Sequence, residues 1–280
     1  MSNESSRNTA GERTRNLFGR ERALIGMIHV GALPGTPRHE LPLERLLATA
    51  AAEAATLQDA GFDALMIENM HDVPYLRRRV GPEIVASMSI LARGIRETID
   101  LPLGVQVLAG ANREALAVAH AAGASWIRAE GFAYAAVADE GLLEEADAGP
   151  LLRYRRSIEA DEVAILADVC KKHSAHAITA DVPFEEQVAT LEFMGADGVV
   201  VTGGATGSPT DRDQLVLARK AGTLPVIVGS GACPDSIGDL LDHADAVIVG
   251  SSIKVDGHWS NPIDPDRARA IVEAARNRHP

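Results

Sequence analysis

The sequence predicts an α/β protein whose strands close into a (β/α)8 barrel. Eight short apolar runs alternate with eight amphipathic stretches of helical period between residues 23 and 276, and this alternation is typical of a parallel sheet. The last two apolar runs each end in a Gly-Ser turn, whereas a dinucleotide-binding sheet carries its glycine-rich turn after the first strand. We therefore prefer a closed barrel to a doubly wound sheet.

Each apolar run has the length of a buried strand. The predicted strands cover residues 23–30, 63–69, 101–108, 125–130, 163–169, 197–203, 225–231 and 245–251. The predicted helices cover residues 44–60, 82–99, 112–122, 150–160, 183–194, 211–221, 234–242 and 265–276. A left-handed residue commonly ends a helix, and glycine adopts that conformation most easily. We expect this role for Gly61, Gly123, Gly195 and Gly222, which follow four of the helices.

Composition and charge limit the possible functions. The chain has 280 residues, 46% of them hydrophobic, and a net charge of -12, so we expect a globular protein that does not bind nucleic acid. The two cysteines make no disulfide framework, which favours the cytoplasm. No apolar run is long enough to span a bilayer, although a peripheral membrane association stays open. The alanine-rich helices are compatible with a homo-oligomer.

The chain divides into a tail and one domain. Residues 1–20 are polar and basic and are predicted to be a disordered tail, whereas residues 21–280 are predicted to form a single barrel domain. The one long connection, residues 131–162, follows the fourth strand. Long connections in compact domains are often functional, so residues 131–149 are either a lid or an ordinary surface excursion.

The last two strand-helix corners predict a phosphate site. The loops after the seventh and eighth strands of such barrels often bind phosphate. Glycines let backbone N–H groups approach an anion, and serines add hydroxyl donors. The predicted phosphate ligands are Gly229, Ser230 and Gly231 in the first turn and Gly250, Ser251 and Ser252 in the second. The alternative is that these glycines only close tight turns.

Strand alternation places polar side chains on the barrel axis at the carboxyl ends of the strands, where barrel enzymes have their active sites. Leu65 and Ile67 point outward under this alternation. The predicted catalytic residues are His29, Glu68, Asp168 and Lys172. The same alternation assigns substrate binding to Gln106, Arg128, Glu130 and Thr202. Asp72, just past the second strand, either points to the site as a further substrate-binding residue or caps a turn. A buried ion-pair network, or for Lys172 a solvated charge, is the alternative for the charged members. The alternative for His29 is a hydrogen-bonded core histidine.

A metal ion is a weaker prediction. Glu68, Glu130 and Asp168, with His29, offer oxygen and imidazole ligands that suit Mg²⁺ or Mn²⁺. Their spacing is not diagnostic. His173 and His176 are three residues apart, but no zinc motif accompanies them.

Several segments resemble the BtpA/SgcQ family. They are "MIHVGALPGTP", "ALMIENMHDVPY", "GPLLRYRRSI", "VCKKH", "VTGGATGSPTD", "VIVGSGACPDSI" and "VGSSIKVDGHWSNPIDPDRA". The resemblance covers residues 23–275 and implies a TIM barrel akin to ribulose-phosphate-binding barrels. It implies no reaction. Positions that match the family's motifs add Asn69, Gly203, Thr206, Lys254 and Asp256 to the predicted substrate-binding residues.

The resemblance also carries two functional associations. The family is named for a role in photosystem I biogenesis, and SgcQ-type members are found in sugar-related operons. The segments "QVLAGAN" and "RAEGFAYAAVADEG" depart from the family pattern at the catalytic face, so a shared substrate does not follow.

Two functions remain in view. The first is an enzyme that acts on a phosphorylated sugar or nucleotide-like metabolite by isomerase, lyase or hydrolase chemistry. The second is a non-catalytic biogenesis or stability factor for a membrane complex such as photosystem I. The sequence does not specify the substrate or the reaction.

Overall fold

The computed structural model describes residues 9–203 and 210–279, and eight of its strands form a closed parallel barrel. The barrel strands are β1 Ala23–His29, β2 Ala64–Glu68, β3 Leu103–Gln106, β4 Trp126–Ala129, β7 Ala164–Asp168, β9 Gly198–Val201, β10 Val226–Val228 and β11 Ala246–Val249. Their order around the barrel is β1-β11-β10-β9-β7-β4-β3-β2. Each predicted run contains one of these strands, so the predicted (β/α)8 fold is confirmed.

Helices surround the barrel. Their bounds are α1 Ala10–Phe18, α2 Leu43–Ala60, α3 Pro82–Arg96, α4 Asn112–Ala122, α5 Ala148–Ser157, α6 Phe184–Phe193, α7 Arg212–Ala221, α8 Ile237–His243 and α9 Pro265–Arg278. Gly61, Gly123 and Gly195 have the expected positive φ, at 95°, 72° and 90°. The prediction for Gly222 was wrong, because its φ of -159° is extended and α7 ends without a left-handed residue.

Side chains alternate between two apolar layers. Leu65 and Ile67 pack outward against the helices, whereas Met66 packs inward with Ile25 and Met27 of the neighbouring strand. Trp126 also points inward and covers Gly104, where an added Cβ would lie 2.1 Å from the Trp126 Nε1 atom. The lower part of the barrel is therefore filled with apolar side chains, and polar residues are confined to the carboxyl ends of the strands.

Helix α1 contradicts part of the predicted disordered tail. Thr9 and Glu12 form a reciprocal capping box at its start, and Gly19 ends it in the left-handed conformation. Phe18 is fully buried, with its ring 4.9 Å from the Trp126 ring in an edge-to-face contact. The helix is ordered because Phe18 covers the apolar amino-terminal end of the barrel. Residues 1–8 lie outside the described residues.

The long connection after β4 contains a hairpin. Strands β5 Ala136–Ala138 and β6 Gly141–Leu143 pair antiparallel, and the two-residue strand β8 Ser174–Ala175 adds to the edge of β5. The hairpin therefore joins the connection after β4 to the segment after β7. The hairpin occupies the segment for which a lid was predicted, and its role as a lid stays a prediction.

No helix among the described residues is both long and apolar enough to cross a membrane.

Candidate active site

A cavity of about 390 Å³ opens among the carboxyl ends of the barrel strands. All six predicted phosphate ligands line it, together with His29, Glu68, Arg128 and Lys172. The structure thus brings the two Gly-Ser turns and three of the four predicted catalytic residues into one space. The fourth, Asp168, does not line the cavity.

The two Gly-Ser turns form one wall of the cavity. A Cβ added to Gly229 would lie 2.6 Å from Thr202 Cγ2, so only glycine fits where these strands approach each other. The hydroxyls of Ser230 and Ser252 are buried and have no hydrogen-bond partner among the described residues. Buried polar groups are rarely left unsatisfied in proteins, so these two hydroxyls have unused hydrogen-bonding capacity at the cavity wall.

His29 and Glu68 face each other at the ends of adjacent strands, where they are register partners. The His29 Nδ1 atom lies 2.8 Å from the Trp259 carbonyl oxygen, so Nδ1 must carry the proton and donate it. Burial, aided by the charge of Lys254, lowers the pKa of His29 to about 3. The imidazole is therefore neutral, and its Nε2 atom is an acceptor that points toward Glu68.

Glu68 complements this acceptor. Burial raises the pKa of Glu68 above its ordinary value, against the lowering charges of Lys172 and Arg128. Its Oε2 atom lies 3.8 Å from His29 Nε2, which is too far for a direct hydrogen bond. A ligand atom between the two could exchange a proton with either group.

The adjacent lysines Lys171 and Lys172 have opposite surroundings. The Lys171 Nζ atom lies 2.9 Å from Glu140 Oε2 and 3.9 Å from Glu130 Oε2. Burial alone would lower the pKa of Lys171, but these two carboxylates outweigh it and the pKa is raised. Lys172 lines the cavity, and burial together with the charge of Arg128 lowers its pKa.

Asp168 holds Arg128 rather than facing the cavity. The Arg128 Nε and Nη2 atoms donate to the two Asp168 carboxylate oxygens at 2.8 and 3.0 Å, and both side chains are buried. Both carboxylate oxygens are therefore engaged, and Asp168 positions the guanidinium that lines the cavity. Thr202, also predicted to bind substrate, donates its hydroxyl to the Cys170 carbonyl at 3.2 Å.

Asn69 and Asp72 connect loops at the mouth of the barrel. Asp72 accepts hydrogen bonds from the Leu33 N–H and the Asn69 side-chain amide, both at 2.8 Å. Asn69 in turn accepts from the Leu108 N–H at 2.7 Å. These two residues hold together the loops that follow β1, β2 and β3, and neither lines the cavity.

Gln106 and Glu130 form a buried polar pair beside Glu68. Gln106 donates to Glu130 Oε1 at 3.3 Å, and it is the register partner of Glu68 across β2 and β3. Gln106 Oε1 and Glu130 Oε2 have no hydrogen-bond partner among the described residues. Burial raises the pKa of Glu130 to about 7, against the charge of Lys171.

The remaining predicted residues lie elsewhere. Lys254 is buried against α2, with its Nζ atom 3.2 Å from Glu53 Oε2, so its charge is already paired and it does not line the cavity. Asp256 is exposed in a short turn with a φ of 57°. Gly203 is buried at the end of the described segment, and Thr206 lies outside the described residues.

A larger surface depression of about 630 Å³ lies beside α4 and the loop after β2. Two of its arginines already have a partner, since Arg77 Nη1 lies 3.0 Å from Glu144 Oε2 and the Arg113 guanidinium lies 4.0 Å above the Tyr154 ring. It contains none of the strand-end residues described above, so the smaller cavity is the better candidate for chemistry.

A family model described as BtpA family matches residues 20–277. The chain belongs to the BtpA family. It is 44% identical over 263 residues to an uncharacterized mitochondrial protein of Caenorhabditis elegans, covering 92% of this chain and 94% of that protein. It is 38% identical over 259 residues to the photosystem I biogenesis protein BtpA of Synechocystis, covering 92% of this chain and 89% of that protein.

Solved structures confirm the fold of this BtpA-family chain. Thiamine phosphate pyrophosphorylase from Pyrococcus furiosus superposes with a TM-score of 0.55 at 12% identity, covering 94% of this chain and 98% of that one. Orotidine 5'-monophosphate decarboxylase from Methanocaldococcus jannaschii gives a TM-score of 0.53 at 15% identity, covering 90% and 98%. At such low identity the likeness extends to the fold alone.

The predicted carboxylate site for Mg²⁺ or Mn²⁺ is not assembled in this BtpA-family barrel. Asp168 is bound by Arg128 through both oxygens, and Glu130 and Glu68 face Lys171 and His29. Among the described residues, no group of three or more His, Cys, Asp or Glu side chains is placed to hold a metal ion.

Among the cavity residues that sequence reasoning missed, two carry a charged or reactive side chain. Arg267, in the first turn of α9, lines the cavity and lies 3.4 Å from the Ser252 carbonyl oxygen. Cys233 lines it after the first Gly-Ser turn. The helical pattern of residues 265–276 indicates which face of the helix is apolar. It does not indicate that the first turn of this helix lies at the cavity, so no sequence signal identified Arg267.

Proposed function

We propose that this BtpA-family barrel is an enzyme that acts on a phosphorylated small molecule, either a sugar phosphate or a nucleotide-like metabolite. The observation that carries the proposal is that the two Gly-Ser turns and the groups suited to acid/base chemistry line one cavity. The turns and the acid/base groups were predicted from separate parts of the sequence, and they line the same cavity. A turn that only closes a strand-helix corner has no need to face such groups.

The phosphate end of the ligand would lie on the turns at residues 229–231 and 250–252. The hydroxyls of Ser230 and Ser252, which have no partner among the described residues, are suitable donors. Arg267 supplies a positive charge at the same wall. Hydrogen bonds to a charged group contribute about 1.5 to 3 kcal/mol each. A few of them support micromolar to millimolar affinity after the costs of association.

The reacting end would lie near His29, Glu68 and Lys172. A carboxyl group with a raised pKa is suited to donate a proton, and the neutral His29 imidazole, whose pKa of about 3 makes it a weak base, is suited to accept a hydrogen bond from the ligand. Arg128 stabilises negative charge that develops nearby. These groups suit isomerase, lyase or hydrolase chemistry, and the solved structures with the same fold carry names of enzymes that handle phosphorylated compounds.

A thermal-shift and turnover screen tests the proposal. The probes are inorganic phosphate, ribose 5-phosphate and adenosine monophosphate, each with and without Mg²⁺. A ligand at a hundred times its Kd stabilises the folded protein by about 2.7 kcal/mol, which gives a measurable rise in Tm. We expect phosphorylated probes to stabilise the protein and free ribose to have no effect. Failure of every phosphorylated probe to bind would refute the proposal.

A second candidate function is a non-catalytic role in assembling a membrane complex. The name of the Synechocystis relative favours it, since that protein matches over most of both chains. A nematode relative at 44% identity speaks against a role confined to photosystems. The double substitution Glu68→Gln and Lys172→Met separates the two functions. If the protein is an assembly factor, the folded double variant should complement a strain that lacks the gene. If the protein is an enzyme, the double variant should not complement that strain.

The proposed enzyme works in the cytoplasm. Both cysteines are free thiols, as expected in a reducing compartment. Fractionation of cells that express the tagged protein tests this location, and recovery in the membrane fraction would instead favour the assembly role.

A further inference from the structure

We propose that Lys172 forms an imine with the carbonyl group of the substrate, which makes the substrate a phosphorylated aldehyde or ketone such as an aldose or ketose phosphate. The inference rests on the proposed function, because the phosphate must hold the molecule while its carbonyl group reaches the amine. It narrows the substrate class and excludes phosphorylated compounds that have no carbonyl group.

The position of Lys172 supports this role. It lines the cavity whose other wall is formed by the Gly-Ser turns. Among the described residues no acceptor lies within hydrogen-bond or ion-pair distance of its Nζ atom, whereas Lys171, one residue earlier, lies 2.9 Å from the Glu140 carboxylate. A buried lysine is usually paired with a carboxylate. The amine of Lys172 is therefore available to a ligand, and that of Lys171 is not.

The surroundings of Lys172 also favour the neutral amine, which is the nucleophilic form. Burial and the positive charge of Arg128 lower the pKa of Lys172 despite the opposing charge of Glu68. Desolvation and a neighbouring cation are the two ways in which proteins activate a lysine for attack on a carbonyl carbon. Asp168 holds that cation in place through two hydrogen bonds.

The chemical step balances with groups already in the cavity. The Nζ lone pair forms a bond to the carbonyl carbon, the carbonyl oxygen takes up a proton, and Nζ loses one, which gives a carbinolamine. Glu68, whose raised pKa favours the protonated carboxyl group, then donates a proton to the hydroxyl. Water leaves as the nitrogen lone pair forms the C=N bond. Hydrolysis of the protonated imine reverses these steps.

Borohydride trapping tests the inference in the full-length protein. The carbonyl probes are ribose 5-phosphate and dihydroxyacetone phosphate, and the matched probes without a carbonyl group are ribitol 5-phosphate and glycerol 3-phosphate. Sodium borohydride supplies the hydride that reduces an imine to a stable secondary amine. Intact mass and peptide mapping then locate the adduct, while thermal shift records binding of all four probes.

We expect a carbonyl probe to label Lys172 and not Lys171 at near neutral pH, because a lowered pKa enlarges the neutral fraction of Lys172, whereas the Lys171 amine is held by Glu140. Lys172→Arg should abolish the adduct and still bind glycerol 3-phosphate. Lys171→Arg, the matched control, should be labelled at Lys172 like the natural protein.

The outcomes separate this inference from the proposed function. If the carbonyl phosphates bind but no adduct forms at Lys172, the imine is wrong and the phosphate-directed enzyme stands. Labelling spread equally over surface lysines also overturns the imine. If none of the four probes binds, the proposed function and the imine fail together.

Discussion

At the scale of single residues, the site is characterised by polar groups that the fold leaves unsatisfied. Ser230, Ser252, Gln106 and Glu130 each bury a polar atom that has no hydrogen-bond partner among the described residues. A buried polar group without a partner costs free energy. Several such groups in one site lower the stability of the folded protein, and a ligand that forms hydrogen bonds with them raises it.

Ser230→Ala should therefore change stability and binding in opposite directions. Removing an unsatisfied buried hydroxyl should leave the free energy of unfolding unchanged or raise it by up to about 1 kcal/mol. The same substitution should weaken the binding of inorganic phosphate several-fold. Urea unfolding and calorimetric titration measure the two effects. Ser89→Ala is the control, because the Ser89 hydroxyl bonds to the Val85 carbonyl within α3, and it should not affect binding. A clear loss of stability in Ser230→Ala would show that the hydroxyl is structural.

Glu130→Gln should change how stability depends on pH. The pKa of Glu130 is raised to about 7 in the folded protein, above the ordinary value for glutamate. Its contribution to stability is thus fully present below about pH 4.5 and is lost as the pH rises through 7. Between pH 5 and 8 the natural protein should lose on the order of 2 kcal/mol of unfolding free energy relative to Glu130→Gln.

Chemical unfolding of both proteins at pH 5, 6.5 and 8 checks this prediction. Glu144→Gln is the control, because Glu144 pairs with Arg77 at the surface and such pairs contribute about 1 kcal/mol or less. A difference between natural protein and Glu130→Gln that does not vary with pH would contradict the assignment.

At the scale of elements, the segments that pack at the two ends of the barrel are held by different kinds of contact. Helix α1 places Phe18 against Trp126 at the amino-terminal end. The hairpin β5–β6 extends over the carboxyl-terminal side, where Glu140 reaches Lys171. One contact is apolar and the other is ionic, because the barrel interior is apolar at one end and polar at the other.

Phe18→Ala should destabilise the protein by about 3 to 5 kcal/mol, the usual cost of removing a fully buried phenylalanine side chain. Phe193→Ala is a matched control, since Phe193 at the end of α6 is 86% exposed and its removal should change stability by less than about 0.5 kcal/mol. Thermal and urea unfolding measure both. Equal effects of the two substitutions would mean that α1 does not seal the barrel.

At the scale of the whole molecule, the net charge of the protein is negative, whereas several side chains that line the cavity are positively charged. The net charge is -12, which repels a dianion at long range. Arg128, Lys172 and Arg267 nevertheless line the cavity. Local cations must therefore overcome the field of the rest of the protein if a phosphate is to bind.

Arg267→Gln should weaken phosphate binding about tenfold, because it removes a cation from the cavity wall. Arg269→Gln lowers the net charge by the same amount, but of the two arginines only Arg267 lines the cavity. Arg269→Gln should leave the affinity within a factor of about two, since a screened surface charge acts weakly at a distance. Titrations at low and physiological salt measure both affinities. Equal losses would indicate that net charge, rather than the site, controls binding.

The sequence by itself determined the barrel and much of the site. Strand and helix periods are local properties of the chain, and the alternation of side chains along a strand follows from its pleat. His29, Glu68 and both Gly-Ser turns could thus be assigned to the carboxyl ends of the strands before any contact was known. The sequence also predicted that Leu65 and Ile67 point outward, as the structure confirms.

Only the tertiary structure decided which polar residues are available and which are already paired. Asp168 and Lys254 resemble site residues in the sequence. In the structure, Asp168 is paired with Arg128 and Lys254 is paired with Glu53. Phe18 contacts Trp126, which lies more than a hundred residues away in the chain. Arg267 contacts Ser252 in the turn before α9 at the mouth of the barrel. Partner choice depends on distances that chain closure sets between elements far apart in sequence, and local patterns carry no information about those distances.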